Sequence, residues 1–193
     1  MTDTTPIRPG SRARRVVLTL TVAAHAAVFA ALPMPVDAQA PPAGEIAEPT
    51  VVYLVRHAER AEDGTDDPPI SEAGQARARL VARLLADAEV ERIHSTRYRR
   101  TRSTAAPLAE ALGLEVAHYD TEDLNRFAAR LRAQGGRHLV VGHSNTTPEL
   151  VTALGGDPGA SMHEAEYDRL YILTLTPDTT STVLLRFGAA PPH

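Results

Sequence analysis

Short apolar runs alternate along this chain with longer amphipathic stretches, and the alternation predicts strands separated by helices. Val51-Val52-Tyr53-Leu54-Val55, mostly β-branched and bounded by polar residues, reads as a buried parallel strand that runs straight into Arg56-His57. The acidic stretch Ala61 to Pro69 reads as a solvated loop, since it lacks the spacing and terminal Glu of a calcium loop. Ser71 then caps a helix with Glu72 in its first turn. Ala73, Ala76, Leu80, Leu84 and Ala88 are its expected inner face, and Arg77, Arg79 and Arg83 its wet side. Arg92 to Ser95 predicts a second strand. A helix from about Tyr98 follows, which Pro107 should kink or interrupt and Gly113 should stop.

Val116 to Tyr119 predicts a short third strand. Thr121-Glu122-Asp123 starts a helix that Gly135-Gly136 ends. Arg137 to Val141 has the apolar character of a central strand and breaks at Gly142, after which Thr146 or Thr147 with Pro148 opens another helix. Finally Arg169 to Leu175 and Ser181 to Phe187, around Pro177-Asp178-Thr179-Thr180, alternate as a β-hairpin does. Placed at the sheet edge, that hairpin makes the sheet mixed. The expected class is therefore α/β, with a mostly parallel mixed central sheet and a C-terminal hairpin.

The ends of the chain have a different character. Arg8, Arg12, Arg14 and Arg15 precede the apolar run Val16 to Leu32, and small-residue exits follow at Val36-Asp37-Ala38 and Ala38-Gln39-Ala40. That order predicts a signal peptide over residues 1–40 with cleavage near Ala38, because Pro41 disfavours the second exit. An uncleaved membrane anchor is the competing reading of the same run. Residues 41–49 form a Pro-rich linker, 50–188 the globular domain and 189–193 a tail. The localisation implied is periplasmic or secreted. No Cys is present, so the domain is held by its core alone.

Without residues 1–40, 16 Arg stand against 22 acidic residues, a net of −6. A mildly acidic domain is a poor partner for nucleic acid or, once the signal is removed, for a membrane surface. No Lys occurs, so any phosphate clamp must be built from Arg and His. Arg56 and His57 at the carboxyl end of a strand lie where open α/β sheets carry their ligands. Arg matches phosphate oxygens with fixed donors, and a neutral imidazole can attack or transfer a proton. His143 follows a second strand, at the amino terminus of a helix that favours anions. No pair of histidines has the spacing of a zinc site, so neither a metal nor another cofactor is expected.

Arg56-His57, then Ser95-Thr96 with Arg100-Thr101 and Thr104-Ala105, then Gly142-His143-Ser144-Asn145 resemble, in order and spacing, the histidine phosphatase superfamily, also called phosphoglycerate-mutase-like. The resemblance spans residues 51 to about 187 and implies a three-layer α/β/α sandwich of the small single-domain phosphatase branch. It implies that His57 becomes phosphorylated and that Arg56, Arg100 and His143, with Ser144 and Asn145, bind the phosphoryl group. It selects Arg100 from the cluster Arg97, Arg99, Arg100 and Arg102.

The chain departs from the family pattern in carrying Ala58 for the usual Gly and in having no clear segment for the general acid, for which Asp120, Glu164 and Glu166 are candidates. Lacking an acid, the enzyme would need a good leaving group. The expected activity is thus a metal-independent phosphatase acting on small phosphomonoesters or on phosphohistidine, in a protein or otherwise. A mutase-type phosphotransferase and a non-catalytic phosphate-binding module are the alternatives. The oligomeric state is not legible in the sequence.

Overall fold

The computed structural model describes Met1 and residues 48–191. The expected signal peptide, its cleavage point and most of the linker lie outside the described residues. The architecture follows from strands whose two faces are both apolar. In β1 (Thr50–Arg56) Val52 and Leu54 point to one side, and Tyr53 and Val55 to the other. Successive side chains of a strand face opposite ways, so a run apolar at every position needs a layer on each side.

Each layer is made of two helices. Val52 and Leu54 pack with Phe127, Ala128 and Leu131 of α3 (Leu124–Gln134) and Leu150 and Val151 of α4 (Thr146–Ala153). Tyr53 and Val55 pack with Val81 of α1 (Glu72–Leu84) and Ala105, Leu108 and Ala109 of α2 (Arg99–Leu112). This is a three-layer α/β/α sandwich. Burying side chains of this size is worth roughly 1.5–3 kcal/mol each before entropy is subtracted.

The remaining strands are β2 (Arg92–Ser95), β3 (Val116–His118), β4 (Arg137–Gly142), β5 (Arg169–Leu175) and β6 (Thr180–Arg186). The order is β3-β2-β4-β1-β5-β6. β1 pairs in parallel with β4 and antiparallel with β5, so the expected parallel strand is parallel on one flank only. The β5–β6 hairpin forms the edge, as its alternation predicts. The chain leaves β1 through α1 toward the β2 side and leaves β4 through α4 toward the β5 side. The two neighbouring strands thus send their connections in opposite directions, which opens a crevice at their carboxyl ends. No helix among the described residues is long and apolar enough to cross a membrane.

The caps explain most boundaries. The Ser71 side chain accepts the Gly74 N–H, the Asp123 side chain accepts the Arg126 N–H, and Gly113 closes α2 in the left-handed conformation. Pro107 does not end α2, which continues to Leu112.

The inner face of α1 differs from the expected one. Gly74, Arg77, Ala78, Val81 and then Leu85 are buried, while Leu84 is exposed. In an Ala-rich helix two adjacent stripes are almost equally apolar, and tertiary contacts choose between them. A side chain at Gly74 would drive its Cβ into the Glu59 carbonyl oxygen, so only glycine allows this approach. Arg77, expected to be solvated, turns inward to a bidentate pair with Glu59 and to the Phe187 and Ala189 carbonyls.

Candidate active site

The carboxyl ends of β1 and β4 are joined by more than the sheet ladder. The His57 N–H donates to the Gly142 carbonyl at 2.9 Å, carrying the register Arg56↔Gly142 one residue beyond the strand. His57 and His143 therefore stand side by side, ring centroids 5.4 Å apart. Gly142 permits this turn. A Cβ there would lie 2.8 Å from Thr147 Oγ1 and 3.0 Å from Tyr119 Oη.

The surrounding cleft holds about 350 Å³, and its walls are mainly charged and polar: Arg56, His57, Arg60, Tyr98, Arg100 and His143, with Ser144, Asn145 and Glu164 at their side. It is small for a ligand site and suits one compact anionic group, with the rest of any ligand left outside.

His57 is 5% exposed. Its Nδ1 lies 2.8 Å from the carbonyl oxygen of Ala58. A carbonyl only accepts, so Nδ1 carries the proton and Nε2 keeps the lone pair. Burial pushes the ring pKa down to about 3, against the usual 6.5, so at neutral pH it is the free base. The Ala58 N–H donates to Thr104 Oγ1, which in turn donates to the Arg100 carbonyl. That chain ties the turn holding His57 to the first turn of α2, from which Arg100 projects.

His143 is lowered to about 4, first by burial and then by Arg100 and Arg56. Its Nε2 lies 3.0 Å from Thr96 Oγ1, which is 2.8 Å from Thr101 Oγ1, which donates to the Tyr98 carbonyl. With the last donation fixed by a carbonyl, the chain runs outward from a protonated Nε2. Tyr98 also packs edge-on against His143 and lies under the Arg100 guanidinium at 4.3 Å.

Arg56 is 4% exposed and heavily engaged. Nη1 donates to the carbonyls of His163, Glu164 and Glu166, and Nη2 donates to the Glu164 carboxylate at 2.9 Å. The Tyr167 ring lies 4.2 Å away, and the buried Nε has no hydrogen-bond partner among the described residues. Arg100 is freer, with Asp67 at 3.6 Å as its one ion pair among the described residues. Asp67 also accepts the Arg99 N–H. The acidic loop is therefore not merely solvated: it packs on the start of α2 and buries Pro68.

The structure gathers Arg56, His57, Arg100, His143, Ser144 and Asn145 around one cleft. It separates the three acid candidates. Asp120 lies in a different hollow, beside Arg126 and Arg130, and accepts the Glu122 N–H. Glu166 does not line the cleft. It is held by Arg169, Arg186 and the His163 N–H, and this network keeps its carboxyl near 2 in spite of burial. Both are corrections to the sequence reading. Glu164 does line the cleft, but the Ser144 hydroxyl and then Arg56 hold it below the ordinary carboxylate range, so it is ionised. Sequence reasoning missed Arg60, Tyr98, Asp67 and Tyr167. Only Arg60, three residues beyond His57, carried a positional signal.

The model of the histidine phosphatase superfamily (branch 1) matches residues 52–125, which include Arg56, His57 and Arg100 and stop short of His143. Phosphoserine phosphatase 1 of Hydrogenobacter thermophilus is 40% identical over 75 residues, 36% of this chain and 36% of that protein. The probable phosphoglycerate mutase GpmB of Photorhabdus laumondii is 38% identical over 71 residues, 34% of this chain and 33% of that protein. The chain thus spans about a third of the length of the curated relatives it matches. The solved structure of the protein histidine phosphatase SixA complexed with tungstate aligns with a TM-score of 0.61 at 21% identity, over 70% of this chain and 96% of that one. At that identity the likeness concerns the fold.

Proposed function

We infer, for a chain that belongs to the histidine phosphatase superfamily, a phosphatase that works through a phosphohistidine on His57. One observation carries this reading: the Ala58 carbonyl holds Nδ1–H, so the lone pair of Nε2 is the ring's free valence, in a cleft walled by Arg56, Arg100 and His143. Burial keeps that lone pair unprotonated, which a nucleophile needs.

The chemistry follows from charge. A phosphoryl dianion repels a nucleophile until its oxygens are neutralised, and the two arginines supply fixed positive charge for them. A dianion between them would also oppose the burial that lowers His143, so His143 would become a charged donor when substrate binds. His57 Nε2 then attacks phosphorus as the bond to the leaving group breaks. Water next attacks the phosphohistidine, the P–N bond breaks, and phosphate leaves with the imidazole restored.

Leaving-group protonation narrows the substrate. The one carboxyl that lines the cleft among the described residues, Glu164, is ionised, so the reading favours leaving groups that need little help, a phosphoramidate such as phosphohistidine before an alkyl phosphate. The aligned SixA is itself a protein histidine phosphatase. Turnover on a panel of phosphohistidine peptides and phosphomonoesters, with and without EDTA, tests the proposal. Release of phosphate that survives the chelator is expected, fastest from phosphohistidine. Activity restored only by a divalent ion would refute the metal-free mechanism. Export belongs to the same proposal, on the order of residues 8–40. Intact-mass analysis of protein from the producing cell should find the chain starting near Gln39, and retention of Met1 would reject it.

A further inference from the structure

Glu164 is 76% exposed, yet its carboxylate is held at both oxygens. Oε2 accepts from Arg56 Nη2 at 2.9 Å, and Oε1 accepts from the Ser144 hydroxyl at 2.7 Å. Both donors line the cleft beside His57. An exposed Glu gains little by forming a surface ion pair, and ordering its side chain costs entropy, so this bridge exists because the cleft presents donors to any anion that reaches them.

We propose that Glu164 is an internal competitor: its carboxylate occupies the seat of a phosphoryl oxygen on Arg56 and Ser144, and substrate must displace it. The inference rests on the phosphatase reading and adds a selectivity device to the same cleft.

The segment that carries Glu164 is anchored without its carboxylate. Arg56 Nη1 binds the His163, Glu164 and Glu166 carbonyls. Arg169 Nη1 and Nη2 bind those of Ala160 and Ser161, and Tyr171 Oη donates to that of Pro158. Release of the carboxylate is therefore a side-chain rotation, with the backbone and the Nη1 contacts of Arg56 in place. Arg56 remains oriented in both states, and only its Nη2 partner changes.

The exchange discriminates by charge. A monoanionic ligand replaces one carboxylate by an equivalent charge and gains nothing at Arg56. A phosphoryl dianion brings an additional charge, which Arg100 also meets, and wins the exchange. Glu164 thus raises the threshold for occupancy and keeps stray carboxylates off the nucleophile.

Calorimetric titration of tungstate into the purified chain, compared with Glu164→Gln and Glu164→Ala, tests the competition. Both variants should bind tungstate roughly fivefold more tightly, which is what an exposed ion pair is worth at its upper end. KM should fall in parallel, with kcat within about twofold and the melting temperature lowered by no more than a few degrees. Equal or weaker tungstate binding by both variants would overturn the competitor. A kcat loss of a hundredfold or more would also overturn it, by making Glu164 the general acid. Failure of the unmutated chain to bind tungstate would instead strike the phosphatase reading, and the competitor with it.

Discussion

Two pairs of histidines lie at almost the same separation in this molecule and do different things. His57 and His143 have ring centroids 5.4 Å apart, and His94 and His138 have theirs 5.3 Å apart. All four are buried or nearly so, and burial lowers the pKa of each. Proximity and a depressed pKa therefore do not distinguish a site from a core.

Partners and access do. His138 Nε2 donates to the Gly135 carbonyl, its Nδ1 accepts from His94 Nε2 at 3.1 Å, and His94 packs edge-on against Phe127. That pair closes on itself under α3. The His57 and His143 pair faces a cleft with two arginines; the Ala58 carbonyl fixes the His57 tautomer and the Thr96 hydroxyl chain that of His143, and each ring keeps a nitrogen for chemistry.

The largest effect that tests this contrast is at His57. His57→Ala should lower turnover by at least about 10³-fold and abolish covalent phosphate incorporation. His143→Ala should lower kcat by about 10²–10³-fold, the loss typical of one charge-stabilising donor, yet leave slow labelling of His57. Peptide mapping under alkaline conditions, where phosphohistidine persists, reads both. Label on the peptide containing His143 would reverse the assignment.

In the core pair the effect should move from activity to stability. His138→Leu leaves the His94 donor without its partner and the Gly135 carbonyl with Arg92 alone, at a cost of about 1–3 kcal/mol in urea unfolding, with kcat/KM within a fewfold of the parent. A large loss of turnover in this variant would erase the distinction between the pairs.

The smallest effect is shared by both. Each folded pKa lies below the unfolded value of 6.5, so the unfolded chain takes up protons first as pH falls. The stability contributed by neutral, buried histidine is complete above about pH 6.5 and is lost progressively toward the folded values of about 4 for His94 and His143 and about 3 for His57. Glu166, at about 2 when folded, adds its own loss only below about pH 4.5. Urea midpoints measured from pH 7.5 to 4.5 should therefore fall already above pH 4.5. A flat profile there would place the histidine pKa values nearer their usual range.

Local chemistry was legible in the sequence wherever one residue type suffices. Caps at Ser71 and Asp123, the stop at Gly113, the strand of Val51 to Val55 and the terminal hairpin depend on φ preferences, short hydrogen bonds and period-two burial, all encoded within a few residues. The order of Arg56-His57, Arg100 and Gly142-His143 pointed to phosphate through its resemblance to a known family, and fixed guanidinium donors beside a neutral imidazole suit that chemistry. What needed the tertiary structure was the choice between near-equal options: which stripe of α1 faces inward and which acidic residue stands near His57. Glu166 and Glu164 are two residues apart, yet Arg169 and Arg186 hold one away from the cleft while Arg56 and Ser144 hold the other within it. Long-range pairing sets such outcomes, because a charged side chain goes to the partner that offsets its desolvation, and that partner is distant in sequence.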